Sequence, residues 1–196
     1  MALVLGLDIS TSCTGWCVMS DASEDQNDHL GKGWAWLGFI PLSGIKGSFN
    51  KAREVQSTIS MINLRHNISR IFIEENLQSF RAGLSSAKTL ATLARFNGIV
   101  SYLTEEQFEI EPEFINVNAA RRRVGLNLVR KNKGGAPTKE QVLDWVKADM
   151  KRRNMQWVWP TKILKSGPRK GQEVLLPWCY DMADAYVISA AGIIGE

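Results

Sequence analysis

Residues 2–19 read ALVLGLDISTSCTGWCVM, and they constrain the fold more than any other stretch of the chain. Ala2–Leu7 is a nearly continuous apolar run, the pattern of a strand buried on both faces at the centre of a sheet. It ends on Asp8, where the strand leaves the core. A small polar loop, Ser10–Thr14, follows, and Gly15–Met19 reads as a second strand hairpinned onto the first. A carboxylate at the end of a central strand loses hydration and needs a partner. Asp8 is therefore either a solvated strand-end acid or a ligand for a cation.

The remaining pattern surrounds that strand. Ser20–Lys32 is polar and acidic, a loop, and Gly33–Ile40 reads as a third strand. Phe49–His66 carries apolar residues at 52, 55, 59 and 62, a helical stripe. Arg70–Glu74 is a short apolar strand that again ends on an acid. Ser85–Thr104 reads as a helix with Ala87, Ala91, Ala94 and Gly98 on one stripe, and Phe114–Val117 as a fifth strand. Lys131–Ala136 reads as a mobile basic loop. Pro137 and Thr138 open a helix in which Thr138 and Gln141 have capping-box spacing, with Val142, Val146 and Met150 on the inner face. A basic hairpin is expected between Trp157–Leu164 and Glu173–Leu176, then a last helix over Tyr180–Ile194. Three antiparallel strands followed by strands alternating with helices predict an α/β fold. Its mixed five-stranded sheet, three strands antiparallel and then two parallel, is flanked by helices. At 196 residues the chain reads as one domain, large enough to bury about 70% of its unfolded surface.

Charge is distributed unevenly. Residues 119–171 hold 15 Lys and Arg against three acids, whereas residues 1–118 hold nine against 13. A solvated helix face explains ordinary lysine runs. A block this lopsided, rich in arginine and carrying Trp145, Trp157 and Trp159, points to a polyanion, with nucleic acid the first candidate. Trp157 and Trp159 either stack on bases or belong to the core. Cys13, Cys17 and Cys179 form no metal-ligand spacing, so free thiols in a reducing cytoplasm are expected. No signal peptide and no membrane span is expected. His29 and His66 are assigned no role.

Two more acids complete a pattern. Asp181 and Asp184, at i and i+3, share one face near the positive end of the last helix. Alone, such a pair is as readily a helix-capping feature. Together with Asp8 and Glu74 it gathers four mutually repelling carboxylates, an arrangement that makes sense chiefly around hard cations with oxygen ligands. Two Mg2+ ions, with Mn2+ as a substitute, would bridge a phosphate undergoing hydrolysis.

These segments resemble a known family. The order strand-Asp, hairpin, strand-Glu and terminal D-x-x-D helix is similar to that of ribonuclease H-like nucleases. Within them it resembles the RuvC-type Holliday junction resolvases. The resemblance rests on GLDISTSCTGW at residues 6–16, IFIEEN at 71–76 and DMADAYVIS at 181–189, supported by AARRR at 119–123 and TKEQV at 138–142. It implies a ribonuclease H-like fold and a catalytic, metal-holding set of Asp8, Glu74, Asp181 and Asp184. Lys139 and one of Arg122 or Arg123 would lie near the phosphates. DNA-binding residues would be Arg121, Arg122, Arg123, Lys131, Lys133 and Lys139, joined by Phe80 and Arg81. Leu77 and Phe80 compete for the place of the family's aromatic wedge. The first loop reads Asp8-Ile9-Ser10 where the family usually has D-P-G, and residues 154–177 read as a basic insertion. The pattern is that of a divergent member, bacterial or phage-encoded.

The implied activity is metal-dependent, structure-specific cleavage of four-way junctions and other branched DNA, with no nucleotide cofactor and no membrane partner. A homodimer is expected, because a junction has two symmetric strands to cut. The alternatives are a ribonuclease acting on RNA–DNA hybrids and a branch-binding protein without catalysis. A sugar-kinase-like phosphotransferase also begins with an acid-to-glycine loop, but 196 residues cannot supply its two lobes.

Overall fold

The computed structural model describes residues 2–20, 34–75 and 87–195. Strands β1 (Leu3–Ile9), β2 (Cys13–Ser20), β3 (Ala35–Pro41), β4 (Arg70–Glu74) and β5 (Glu113–Ile115) form one sheet in the order β3-β2-β1-β4-β5. β1, β2 and β3 pair antiparallel, while β4 lies parallel to β1 and β5 parallel to β4. This is the mixed five-stranded sheet that the sequence predicts. Helices α1 (Ser48–Arg65) and α2 (Ala87–Phe108) cover one face. The other is covered by α3 (Val117–Arg123), α4 (Thr138–Arg152) and α5 (Trp178–Ile194). Among the described residues no helix is long and apolar enough to cross a membrane.

Period-two alternation decides which side chains meet α5. On β1, Leu5, Leu7 and Ile9 pack toward α1 and α2, while Val4 packs on the α5 side. Gly6 and Asp8 share the Val4 face. On β4, Ile71 and Ile73 point to α1 and α2, so Phe72 and Glu74 point to α5. The sheet thus sends one acid from each central strand to the same side.

α5 is held very close to that side. A methyl group on Gly6 would stand 2.3 Å from the Ser189 hydroxyl oxygen, and one on Gly15 would stand 2.1 Å from the Asp181 carbonyl oxygen. Glycine at both positions removes the atom that would keep helix and sheet apart. Ser189 then donates to the Cys17 carbonyl at 2.9 Å. α5 is buried nearly along its whole length, through Val187, Ile188, Ala190 and Ala191. Each large apolar side chain contributes roughly 1.5–3 kcal/mol when fully buried.

Several expectations need adjustment. β1 runs past Asp8 to Ile9 and β2 begins at Cys13, so the first loop is only Ser10–Ser12. β5 stops at Ile115, because Asn116 caps α3 by accepting from the Asn118 amide at 3.0 Å. α2 continues to Phe108, and α5 starts earlier, at Trp178.

The capping box does not form. Pro137 is the N-cap of α4, with no side-chain cap bond. Gln141 instead accepts from the Val129 amide at 2.8 Å and donates to the Val129 and Ala136 carbonyls at 2.9 and 2.6 Å. It staples down the Lys131–Ala136 stretch, which contains a 3-10 turn at Lys131–Lys133 rather than an open loop.

Candidate active site

Asp8 and Glu74 stand at the same level of adjacent parallel strands, one residue beyond the Leu7–Ile73 pair. The outer end of such strands is where open α/β sheets place ligands. α5 brings Asp181 and Asp184 to the same place. All four sequence-predicted acids interact in one cluster, since the charges of Glu74, Asp184 and Asp181 all act on Asp8.

Burial is the first cause of an unusual electrostatic state. It pushes the Asp8 carboxyl well above the usual carboxylate range, and the neighbouring charges of Glu74, Asp184 and Asp181 push further. Burial also raises Glu74, against the lowering effect of the hydrogen bond it shares with Asp8. Asp181 is raised by burial, against the opposing pull of Lys139 and a hydrogen bond from the Cys13 thiol. Asp8, Glu74 and Asp181 are therefore harder to ionise than an exposed group of acids would be.

Two cations lie at its margin. Arg121, from the buried side of α3, donates from Nη2 to Asp184 Oδ1 at 2.9 Å, with both side chains largely enclosed. Its Nε is buried without an acceptor. Lys139, in the first turn of α4, acts on both Glu74 and Asp181 and lies 5.9 Å from the Tyr180 ring centre. α4 is itself locked to α5 by Asp149. This buried acid accepts from Tyr186 Oη at 2.7 Å and Arg153 Nε at 2.9 Å, and also pairs with Arg152.

The loop before β2 is built to hold Cys13. Ser10 Oγ donates to the Cys13 carbonyl at 2.7 Å and accepts from the Cys13 amide at 3.1 Å. The thiol thereby reaches Asp181, and burial raises it far above its ordinary value, so it acts as a neutral donor. Nothing in the sequence signals this role.

The predicted DNA-binding residues divide into two groups. Arg121 and Lys139 are at the carboxylates, whereas Arg122, Lys131 and Lys133 are exposed and Arg123 is half-buried. Arg121 reaches Asp184 with its guanidinium, carried inward by its place on α3, while the expectation that Lys139 and one of Arg122 or Arg123 lie near the phosphates concerns bound DNA. Phe80, Arg81 and Leu77 lie outside the described residues, as does His29. Trp157 and Trp159 are half-buried and pack on the α5 core, in line with the core reading. His66 sits between Trp34 and Trp36, at 5.6 and 5.1 Å.

The donor set suits a hard divalent cation: four clustered carboxylates, three of them raised chiefly by burial, with Arg121 and Lys139 at their margin. Among the described residues, no three acid, His or Cys side chains are gathered as they stand to hold a metal ion. The acids are engaged by side chains instead: Arg121 on Asp184, the Cys13 thiol toward Asp181, and Asp8 and Glu74 on one another.

Comparison with solved structures identifies the architecture. RuvC of Thermus thermophilus in complex with a Holliday junction substrate superposes with a TM-score of 0.59, covering 99% of this chain and 94% of that one at 13% identity. The chain has the fold of RuvC. A second Thermus thermophilus RuvC structure gives a TM-score of 0.58 at 15% identity, covering 98% of this chain and 93% of RuvC. The yeast mitochondrial Holliday junction resolvase Ydc2 gives 0.56 at 13% identity, covering 98% of this chain and 78% of Ydc2. No family model and no curated protein matches the sequence. The RuvC fold is thus carried by a sequence that retains little of RuvC beyond its pattern.

Proposed function

We propose that this chain is a metal-dependent, structure-specific endodeoxyribonuclease that resolves four-way DNA junctions and acts on related branched DNA. The observation that carries the reading is the cluster of Asp8, Glu74, Asp181 and Asp184, three of them half-buried and Asp184 buried, at the outer end of the central strands of a RuvC fold. No structural need explains four acids repelling one another there; holding cations does. Two bound magnesium ions, replaceable by manganese, would activate water and stabilise the leaving oxygen in phosphodiester hydrolysis. Asp8 and Glu74 hold the inner side of that site, and Asp181 and Asp184 close it from α5. Cys13 orients Asp181. Lys139 and Arg121 steer the phosphate, while Arg122, Arg123, Lys131 and Lys133, with Phe80 and Arg81, supply the wider DNA contact. No nucleotide cofactor or membrane takes part.

The whole chain acts as one domain in this reading, in the cytoplasm of a bacterial or phage-infected cell. It works as a homodimer that presents two sites to the two strands of a junction. Ala87, Ala91, Ala94 and Gly98 are exposed on α2, which supports that stripe as a packing face between copies rather than against the chain's own sheet. Cleavage of labelled four-way junctions, flaps and RNA–DNA hybrids, with magnesium and with EDTA, tests the proposal. Magnesium-dependent cutting at the branch is expected. Preference for the hybrid would make the chain a ribonuclease instead, and binding without cutting would make it a branch-binding protein.

A further inference from the structure

Residues 154–177 form a part of the chain that supplies no carboxylate to the site. At their centre β6 (Thr161–Ile163) and β7 (Glu173–Leu175) pair antiparallel as a two-stranded sheet of their own. The turn joining them has a defined shape. The Gly171 amide donates to the Leu164 carbonyl at 2.8 Å, Lys170 donates to Gly167 at 3.0 Å, and Gln172 donates to Arg169 at 3.1 Å. Gly167 and Gly171 take φ values of 80° and 85°, conformations that favour glycine. At the other end, the Pro160 carbonyl accepts from the Leu176 amide at 2.9 Å and from the Cys179 thiol at 3.3 Å. The ribbon is thus tied to the first turn of α5, the turn that carries Asp181.

Its surface is strongly one-sided in charge. Lys162, Lys165, Arg169 and Lys170 are all exposed, and none is ion-paired among the described residues. Glu173 is the ribbon's single acid, and it is engaged by the Thr161 hydroxyl. Between the charges Ile163 stands 66% exposed. A hydrogen-bonded projection carrying four cations and an apolar knob, rooted beside the carboxylate cluster, has the chemistry of a polyanion-binding surface. A two-stranded ribbon also matches the major groove of duplex DNA, which is about 12 Å wide.

We infer that the β6–β7 ribbon docks in the major groove of a duplex arm next to the cut phosphate, with Lys165, Arg169 and Lys170 on the flanking phosphates. This rests on the nuclease reading for its substrate and adds to it a second, arm-directed grip. From the Pro160–Leu176 pair to the Leu164–Gly171 pair the ribbon spans roughly 14 Å, at about 3.4 Å per residue. Arms shorter than that reach cannot fill it.

The test is binding, measured in EDTA so that cleavage plays no part. Wild type and the triple variant Lys165→Gln, Arg169→Gln, Lys170→Gln are titrated against four-way junctions and linear duplexes, with long and with very short arms, across a range of salt. For long-armed DNA the triple variant should bind at least tenfold more weakly. Its log–log salt slope should fall by up to about 2.7, roughly 0.9 for each phosphate that is no longer neutralised. Wild type should lose affinity when the arms are shortened, and the variant should lose little more. Lys165→Glu, a single exposed change, serves as the second variant and should shift in the same direction. Equal slopes, or equal sensitivity to arm length, would overturn the inference even if the wild type cuts junctions efficiently. The expected slopes and arm dependence would uphold the ribbon's grip on DNA even if no magnesium-dependent cleavage is found, an outcome that counts only against the nuclease reading.

Discussion

Two sites draw acids away from solvent, Asp149 and Asp184 fully and Asp8, Glu74 and Asp181 in part, and they are treated in opposite ways. Asp149 is almost wholly enclosed, yet it receives Tyr186 Oη, Arg153 Nε and Arg152. Asp8 and its partners are enclosed among one another, with Arg121 and Lys139 only at the edge. A buried charge that serves the architecture must be satisfied, because an unpaired one costs several kcal/mol. Acids withdrawn from water and left short of partners are instead raised in pKa, and such groups gather at sites that bind something outside the chain. The contrast is the ground for reading Asp149 as structural and for proposing a chemical role for the other four.

Substitution at each centre should therefore give opposite results. Asp8→Asn should reduce magnesium-dependent junction cleavage by about a thousandfold or more, the equivalent of several kcal/mol of lost metal stabilisation. The same change should raise the melting temperature of the metal-free protein at neutral pH, since an amide never takes the charge that burial and the neighbouring acids oppose at that position. Asp149→Asn should destabilise the fold by about 1.5–3 kcal/mol, because the bonds from Tyr186 and Arg153 lose their charged acceptor. Below its melting temperature it should still cut. Cleavage assays beside thermal melts check both; an Asp8→Asn protein that melts earlier would show that Asp8 supports the fold.

The dependence of stability on pH follows from the same contrast. Asp8, Glu74 and Asp181 are all raised in the folded protein. The folded chain thus binds protons more tightly than the unfolded one. Their contribution is fully present below the ordinary carboxylate range, near pH 4, and is lost as pH rises through the raised values. In EDTA, melting temperature should fall from mildly acid pH toward neutrality, and magnesium should restore it at neutral pH. Asp8→Asn should flatten both responses. A metal-free protein that becomes more stable over that interval would contradict the electrostatic account of the cluster.

Much of this is legible in the residues, for identifiable reasons. Buried strands declare themselves by apolar runs, and period two then assigns faces. Val4, Gly6 and Asp8 must share a side, and Phe72 and Glu74 must share it too once β4 lies parallel to β1. The i, i+3 spacing of Asp181 and Asp184 likewise needs only helical geometry. Arg121, Arg122 and Arg123 are a different matter. Three consecutive arginines look alike in sequence, and only the packing of α3 decides which of them meets Asp184. Thr138 and Gln141 have the spacing of a capping box, but the Val129 and Ala136 backbone groups, brought near by the chain's path, compete for Gln141 and win. The Cys13 thiol beside Asp181 depends on the Ser10 turn and on Gly15 admitting α5, a coincidence of three elements that no local pattern encodes.

Arg121 also yields the smallest and sharpest prediction. Asp181 and Asp184 are both acids on α5, but the first receives a neutral thiol and the second a guanidinium. Converting either to Asn removes one negative charge from the path of an approaching phosphate. Junction binding in EDTA should therefore improve for both, while magnesium-dependent cleavage is lost. Only Asp184→Asn also deprives Arg121 of its carboxylate. The Nε of that guanidinium already lacks an acceptor, so the freed fork has donors to offer a phosphate oxygen. One further neutralised phosphate steepens the log–log salt dependence of binding by roughly 0.9. Asp184→Asn should show that steeper slope and a several-fold gain in affinity at low salt. Asp181→Asn should keep close to the wild-type slope with a smaller gain. Identical slopes would mean that Arg121 stays where it is without Asp184 and belongs to the architecture, as Arg153 does beside Asp149. A steeper slope for Asp184→Asn alone would place Arg121 among the groups that meet DNA, held in reserve by the acid it covers.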